Sequence, residues 1–385
     1  MVQVVLPVAT GVTISTSSTK ITLASDGAAA NPFYVLTSSA ITVKVLFADG
    51  SSIDYTNDKR TVYSVRSSSA ALIQLTSTNQ ISVKSMAVLP TTATSVYVDV
   101  SFPGVYSVSG TAVVMVVKLS SVAISAQPYP TVSGWSGNML TLRKVSCTGL
   151  WERLQASASG TLSDGTTQSS SAFYNLVTFT SSDATVAAVS ALCSGSLCRG
   201  LVPAKAGTVT ITGSFYGVQA SLQVVVSASS TAVTALSIAS NIGSSSTLSG
   251  VAGTVATMSV TALFDDGTNM AVSYSGATSS SWLTPSALLS FASARPTALA
   301  VSSQGIVTLS GNYYMSTALT ASDKCGSGVS NTLNEFSNLS PAVYDVDLGA
   351  TVGAPFGVAV VGSTFTVPVR IQASTTRALT AFQVG

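Results

Sequence analysis

Apolar and polar residues alternate along most of this chain, in short runs broken by turns rich in Gly, Asp and Ser. Val96-Tyr97-Val98-Asp99-Val100-Ser101-Phe102 and Gly207-Thr208-Val209-Thr210-Ile211-Thr212-Gly213 put every second side chain on one face. That period belongs to strands with one buried and one wet side. Apolar runs at residues 43–51, 160–166 and 260–268 each lead into Asp-Gly followed by a small hydroxyl residue. Asp-Gly is a strong hairpin signal, because Gly accepts the positive φ that a primed turn needs. Hairpin turns are therefore expected at Asp49 and Gly50, at Asp164 and Gly165, and at Asp266 and Gly267. They return at intervals of roughly 100–115 residues, far too long for a solenoid repeat.

A second element follows each hairpin. It is a strand pair in residues 71–83 and 298–309, and the run 179–190 before a turn at Ser194-Gly195-Ser196 in the middle copy. An alternating strand, a Gly turn and a closing strand such as Leu222-Gln223-Val224-Val225-Val226 complete the pattern. The third copy departs here, with Cys325 to Pro341 in place of the expected closing strand. Val2-Gln3-Val4-Val5-Leu6 repeats the closing pattern at the other end and lacks the basic start of a signal peptide. Both ends thus read as cut from a longer array.

Phe179-Thr180-Ser181-Ser182-Asp183-Ala184-Thr185-Val186-Ala187-Ala188-Val189, followed by Ala206-Gly207-Thr208-Val209-Thr210-Ile211, resembles the signature of group 2 bacterial Ig-like domains. The likeness spans residues near 10–340, is good in the middle copy and looser in the others, and is interrupted by an insertion around 147–153. It implies small sandwiches of two antiparallel sheets, a family that is mostly structural. Residues 343–349 and 361–371, with Leu379-Thr380-Ala381-Phe382, resemble the opening strands of a cohesin-like sandwich. The expected fold class is all-β, with tandem Ig-like β-sandwich domains in a linear array. Residues 1–8 would end a preceding domain, 9–118, 119–229 and 230–341 would be complete, and 342–385 an incomplete cohesin-like start.

Composition narrows the function. Charged residues make up 8 % of the 385 and apolar ones 46 %, enough apolar surface to offset the entropy of ordering the chain. Roughly three residues in ten are Ser or Thr, which suits the wet faces of strands. The net charge of +2 is spread over scattered Lys and Arg, so nucleic acid has no electrostatic footprint here. No apolar run approaches the ~18 residues of a membrane span.

Candidate chemistry is sparse. The chain has no histidine, the commonest general base and zinc ligand. Its two glutamates, Glu152 and Glu335, lie in different copies, against a catalytic carboxylate pair. No catalytic residue, cofactor or metal is expected. Asp265-Asp266 and Asp345 with Asp347 are acidic enough for calcium, but a turn and strand positions account for them. Cys193 and Cys198 flank a turn, where opposed residues reach disulfide distance. That pairing would place the chain in an oxidising compartment. Cys147 and Cys325 are left over; a bridge between domains, a bond to another chain and free thiols stay open. Asn338-Leu339-Ser340 is the only N-glycosylation sequon, weakened by Pro341. Trp135, Trp151 and Trp282 lie in separate segments, which favours packing over a shared sugar-binding face.

These features point to a structural, non-enzymatic component of an extracellular filament or stalk. Its expected partners are other chains of that filament, glycoproteins among them, and its place is outside the cell or on its surface. The Ala/Ser/Thr-rich composition with this domain type is similar to the very large axial chains of mastigonemes, the filaments on green-algal cilia. The alternative is a cell-surface adhesin or carbohydrate-binding protein in which these domains are spacers.

Overall fold

The computed structural model describes residues 7–169, 171–192, 199–242, 246–273, 282–313, 315–341, 346–351, 361–362, 364 and 366–371. Three pairs of sheets repeat one strand order. In the first pair, one sheet runs Ala9–Thr16, Ser38–Phe47, Gln80–Val83 and Ile73–Ser77, with Ser52–Asp54 beside Ser38–Phe47. Its partner sheet runs Lys20–Ile21, Tyr106–Val116, Thr94–Phe102 and Val62–Val65. The middle pair repeats the order with Leu119–Tyr129, Arg153–Leu162, Arg199–Pro203 and Ala187–Ala191, then Thr141–Val145, Val218–Thr231, Gly207–Phe215 and Thr178–Ser181. The third does so with Val233–Ser240, Val255–Phe264, Ile306–Leu309 and Leu299–Val301, then Thr247–Gly250, Ser330–Leu339, Thr317–Asp323 and Leu289–Ser293. In each copy a short opening strand lies parallel to the closing strand, as Lys20–Ile21 does along Met115 and Val116. The chain is all-β, built of tandem Ig-like β-sandwiches.

Period-2 patterning produces the cores. In Thr94–Phe102 the inward residues Val96, Val98, Val100 and Phe102 are buried and alternate with half-buried polar ones. They pack on Ile41, Val43, Val45, Ile73 and Ile81 from the other sheet. Burying one such Val or Ile side chain stabilises by about 1.5–3 kcal/mol.

By contacts the chain divides into two compact units: Met1–Ser125 with Ala156–Ser182 and Thr210–Gln223, and Ala126–Gln155 with Asp183–Val209 and Val224–Gly385. The first unit thus holds the first sandwich together with part of the middle one, and the second unit holds the remainder of the middle one with the third.

Two features differ from the sequence reading. The Asp-Gly hairpins are three-residue loops, with Phe47 N–H donating to Ser51 O (3.0 Å) and Gly50 N–H to Phe47 O (3.0 Å). Gly50, Gly165 and Gly267 take φ of 82°, 85° and 85°, while the aspartates before them do not enter the positive region. That is a type I turn closed by a left-handed Gly bulge in place of a primed turn. The third sandwich also has its closing strand, Ser330–Leu339, paired with Thr317–Asp323 and Thr247–Gly250. Polar Glu335, Ser337 and Asn338 are its buried residues, so hydrophobic alternation does not reveal it.

Candidate functional site at the sandwich junctions

The Asp-Gly-Ser/Thr loops have a second role beyond turning the chain. Each aspartate accepts the backbone N–H two residues on: Ser51 to Asp49 (3.0 Å), Thr166 to Asp164 (2.9 Å) and Thr268 to Asp266 (2.9 Å). The hydroxyls of the same three residues donate to these carboxylates. The loop is thereby rigid. Its first residue then donates its N–H to the segment leading into that sandwich: Ala48 to Val8 O (2.9 Å), Ser163 to Lys118 O (2.9 Å) and Asp265 to Ala232 O (3.0 Å).

In the first unit this contact grows into a junction. Lys118 N–H donates to Ser163 Oγ (3.1 Å) and Ala93 N–H to Ser163 O (3.2 Å). Lys20, from the first sandwich, forms an ion pair with Asp164 and donates to Thr166 Oγ1 at 3.0 Å. Burial alone would raise the Asp164 carboxyl, but Lys20 and the Thr166 groups outweigh it and hold the pKa below its ordinary value. Lys20→Met is expected to cost about 1–2 kcal/mol in urea denaturation, reduced from the fully buried case because the lysine is 39 % exposed. An unchanged midpoint would show that the pair contributes nothing. Beside it, Phe33, Phe173, Phe215 and Tyr216 form an edge-to-face chain with centroids 5.8, 5.0 and 4.9 Å apart.

The second unit has its own junction, built by the insertion noted in the sequence. Val145 N–H donates to Leu150 O (2.8 Å) and Glu152 N–H to Arg143 O (2.9 Å), which folds residues 143–152 into a tight hairpin. Cys147 at its tip is disulfide-bonded to Cys325, with Cα atoms 5.4 Å apart. Val145 and Leu150 join the core cluster of Val233, Leu236, Val260 and Leu289 in the third sandwich. Arg143 lies 3.7 Å from Asp265, which also accepts from Thr231 Oγ1 at 2.6 Å. Glu152, 3 % exposed, accepts from Arg143 N–H (2.7 Å) and from Thr268 Oγ1 (3.3 Å), and shares a hydrogen bond with Asp266.

Burial, then the Asp266 carboxylate, push Glu152 up to about 8. Burial also acts upward on Asp266, but the Glu152 and Thr268 hydrogen bonds hold its pKa below the ordinary value. The pair therefore shares one proton. The unfolded chain releases the Glu152 proton near 4.5 and the folded chain near 8. Its stabilising contribution is full below pH 4.5 and is lost as pH rises toward 8. Glu152→Gln keeps a neutral side chain of the same shape. It is expected to flatten the fall in stability across this range in a pH series of denaturation midpoints; an equal slope in both proteins would contradict the shared proton.

The other expected site residues fall as follows. Cys193 and Cys198 lie outside the described residues, as does Asp345. Asp347 forms an ion pair with Arg370. Asn338 is fully buried, its Nδ2 donating to Ala350 O and its Oδ1 accepting from Arg370. A sugar on Nδ2 would have to displace this contact with Ala350. Peptide mapping should find Asn338 unmodified, and a hexosamine mass on it would contradict this packing. Trp282 donates Nε1–H to Tyr129 O (3.1 Å) under the Arg153 guanidinium, and Trp151 lies beneath Lys144. Among the described residues no cluster of three metal-ligating side chains occurs. None of their helices is long and apolar enough to cross a membrane.

No protein-family model matches the chain, and no curated protein sequence matches it. Among solved structures it is similar to surface layer protein SbsC, domains 1–6, at 16 % identity over 89 % of this chain and 42 % of that one (TM-score 0.25). It is similar to invasin, a bacterial integrin-binding protein, at 15 % identity over 90 % and 62 % (TM-score 0.23). A third is the Escherichia coli adhesin FdeC, at 13 % identity over 85 % and 96 % (TM-score 0.26). The chain spans less than half the length, 42–45 %, of three of the surface-layer chains it matches. Likenesses this distant assign neither a function nor a partner to this chain.

Proposed function

We propose that this chain is a structural segment of an extracellular filament or stalk, whose sandwiches act as scaffold and as lateral contact surface for other chains. The observation that carries the reading is the repeated junction. In both units specific side-chain bonds join one sandwich to the next: Lys20 to Asp164 in one, Cys147 to Cys325 and Glu152 to Asp266 in the other. A long disulfide belongs to an oxidising compartment, which supports a place outside the cell or on its surface. The low charge leaves little to desolvate when neighbouring chains pack against these sandwiches.

The finer reading is that such a segment belongs to the axis of a mastigoneme, wrapped by glycoproteins, and that the domains are of the group 2 bacterial Ig-like kind, with a cohesin-like one beginning near residue 342. Composition and the quoted motifs support it. Antibody raised against residues 9–341 and applied to intact cells tests the function. Labelling along fibres is expected, and recovery of the chain only as a free soluble protein would count against it.

A further inference from the structure

Of the three Asp-Gly-Ser/Thr loops, two are covered by the sandwich before them and one is bare. The same bond closes each loop, from Phe47 N–H to Ser51 O, Leu162 N–H to Thr166 O and Phe264 N–H to Thr268 O. Residues 47–53, 162–168 and 264–270 therefore correspond position for position. In the middle loop the Asp164 side chain is 7 % exposed and paired with Lys20 of the first sandwich. In the third loop Thr268 is 5 % exposed and donates to Glu152 of the middle sandwich. Met270, also 5 % exposed, borders Pro128, Tyr129 and Pro130 of that same sandwich. In the first loop residues 48–54 are all exposed. Ile53, the counterpart of Met270, is 52 % exposed.

The bare loop is otherwise built as the covered ones are. Ser51 N–H and Oγ both donate to Asp49 Oδ1, at 3.0 and 2.6 Å. Asp49 Oδ2 is the counterpart of the Asp164 atom that pairs with Lys20. No Lys or Arg among the described residues pairs with Asp49. Ala48 N–H holds the entry segment at Val8 O, as Ser163 holds Lys118 O and Asp265 holds Ala232 O. At the two covered loops that entry segment leads back into the sandwich that does the covering.

Charge narrows the occupant. Arg143 meets its loop at Asp265, whose counterpart here is the uncharged Ala48, whereas Lys20 meets Asp164, the counterpart of Asp49. Asp54, the other carboxylate of the bare run, has Lys44 as its register partner. A lysine at Asp49 is therefore the fitting contact, with apolar surface over Ile53, whose covering removes apolar area from water. We propose that the Asp49 loop and Ile53 form a docking face for another Ig-like sandwich, the one that the entry segment at Val8 leads back to. That sandwich sets a lysine, from the short strand beside its closing strand, against Asp49. The inference rests on the repeated junction geometry alone, and the filament reading stands if it fails.

Carboxylate labelling with carbodiimide and glycine ethyl ester tests it on two folded samples: the recombinant chain of residues 1–385, and the protein isolated from its natural source. In the recombinant chain Asp49 is expected to label readily and Asp164 poorly. In the natural protein labelling of Asp49 should fall to the level of Asp164. Carbodiimide without added amine should then join Asp49 to a lysine of the sequence before Val8. The Lys20–Asp164 join in the same digest is the internal standard, since that pair is already in contact. Equal labelling of Asp49 in both samples would overturn the proposal. Protection of Asp49 without such a join, or a join to a lysine of a separate chain, would overturn it as well.

Discussion

Replacing Cys147 and Cys325 together by alanine is expected to cost the second unit about 3–5 kcal/mol of stability. The bridge closes a loop of 178 residues, and the denatured-state entropy removed by a crosslink grows with the logarithm of loop length. It also holds the 143–152 hairpin on the third sandwich, where Leu150 and Cys325 pack against the Val233 and Leu236 cluster. The double variant leaves Cys193 and Cys198 untouched, so the effect is assigned to this bridge alone. Hydrogen exchange locates it: amides of Val260 and Leu289 should lose protection, while those of Val43 and Val98 keep theirs. Equal protection in both proteins would show that side-chain packing alone secures this junction.

The second large effect is expected in the first unit, from Phe173→Ala. Phe173 lies on the six-residue helix Ser171–Leu176, is fully buried, and touches Phe33 and Phe215 edge-on. Truncation should cost about 3–5 kcal/mol, the usual range for a buried phenylalanine. The ring also explains a glycine. A Cβ on Gly160 would lie 2.6 Å from Phe173 Cζ and 3.1 Å from Phe33 Cζ, so Gly160→Val should cost about 1–3 kcal/mol by overpacking. If the two positions share this space, Gly160→Val in the Phe173→Ala background fills part of the cavity. The double variant should then be more stable than the sum of the single effects predicts. Strict additivity in denaturation midpoints would contradict the packing.

The strands were legible in the sequence because their side chains obey one local rule. Alternation in residues 96–102 and 207–215 reports directly which face is buried. The Asp-Gly loops were legible as positions, but their type was not, since a Gly at positive φ serves both a primed turn and a left-handed bulge. The junctions were legible only in part. The insertion near 147–153 stood out because it broke a repeat, yet its purpose depends on Asp266, Thr268 and Cys325, more than a hundred residues away. Cysteine spacing cannot choose a partner at such range. Glu335, the other glutamate, lies in another copy, and the partner of Glu152 is the turn aspartate Asp266. The closing strand Ser330–Leu339 stayed hidden for a different reason: Glu335, Ser337 and Asn338 are buried there, with Ser240 donating to Glu335 and Arg370 to Asn338. A hydrophobicity pattern cannot register a polar interior whose partners come from other strands.

In the proposed function these sandwiches are joined as parts of a fibre that other chains pack against. Cryo-electron microscopy of intact surface filaments that carry this chain tests it most directly. Continuous density is expected, into which consecutive sandwiches fit, with a bridge at Cys147 and Cys325 and neighbouring chains against their sides. Finding the sandwiches only as an uncovered stalk below a distal binding module, or absent from the fibre, would contradict it.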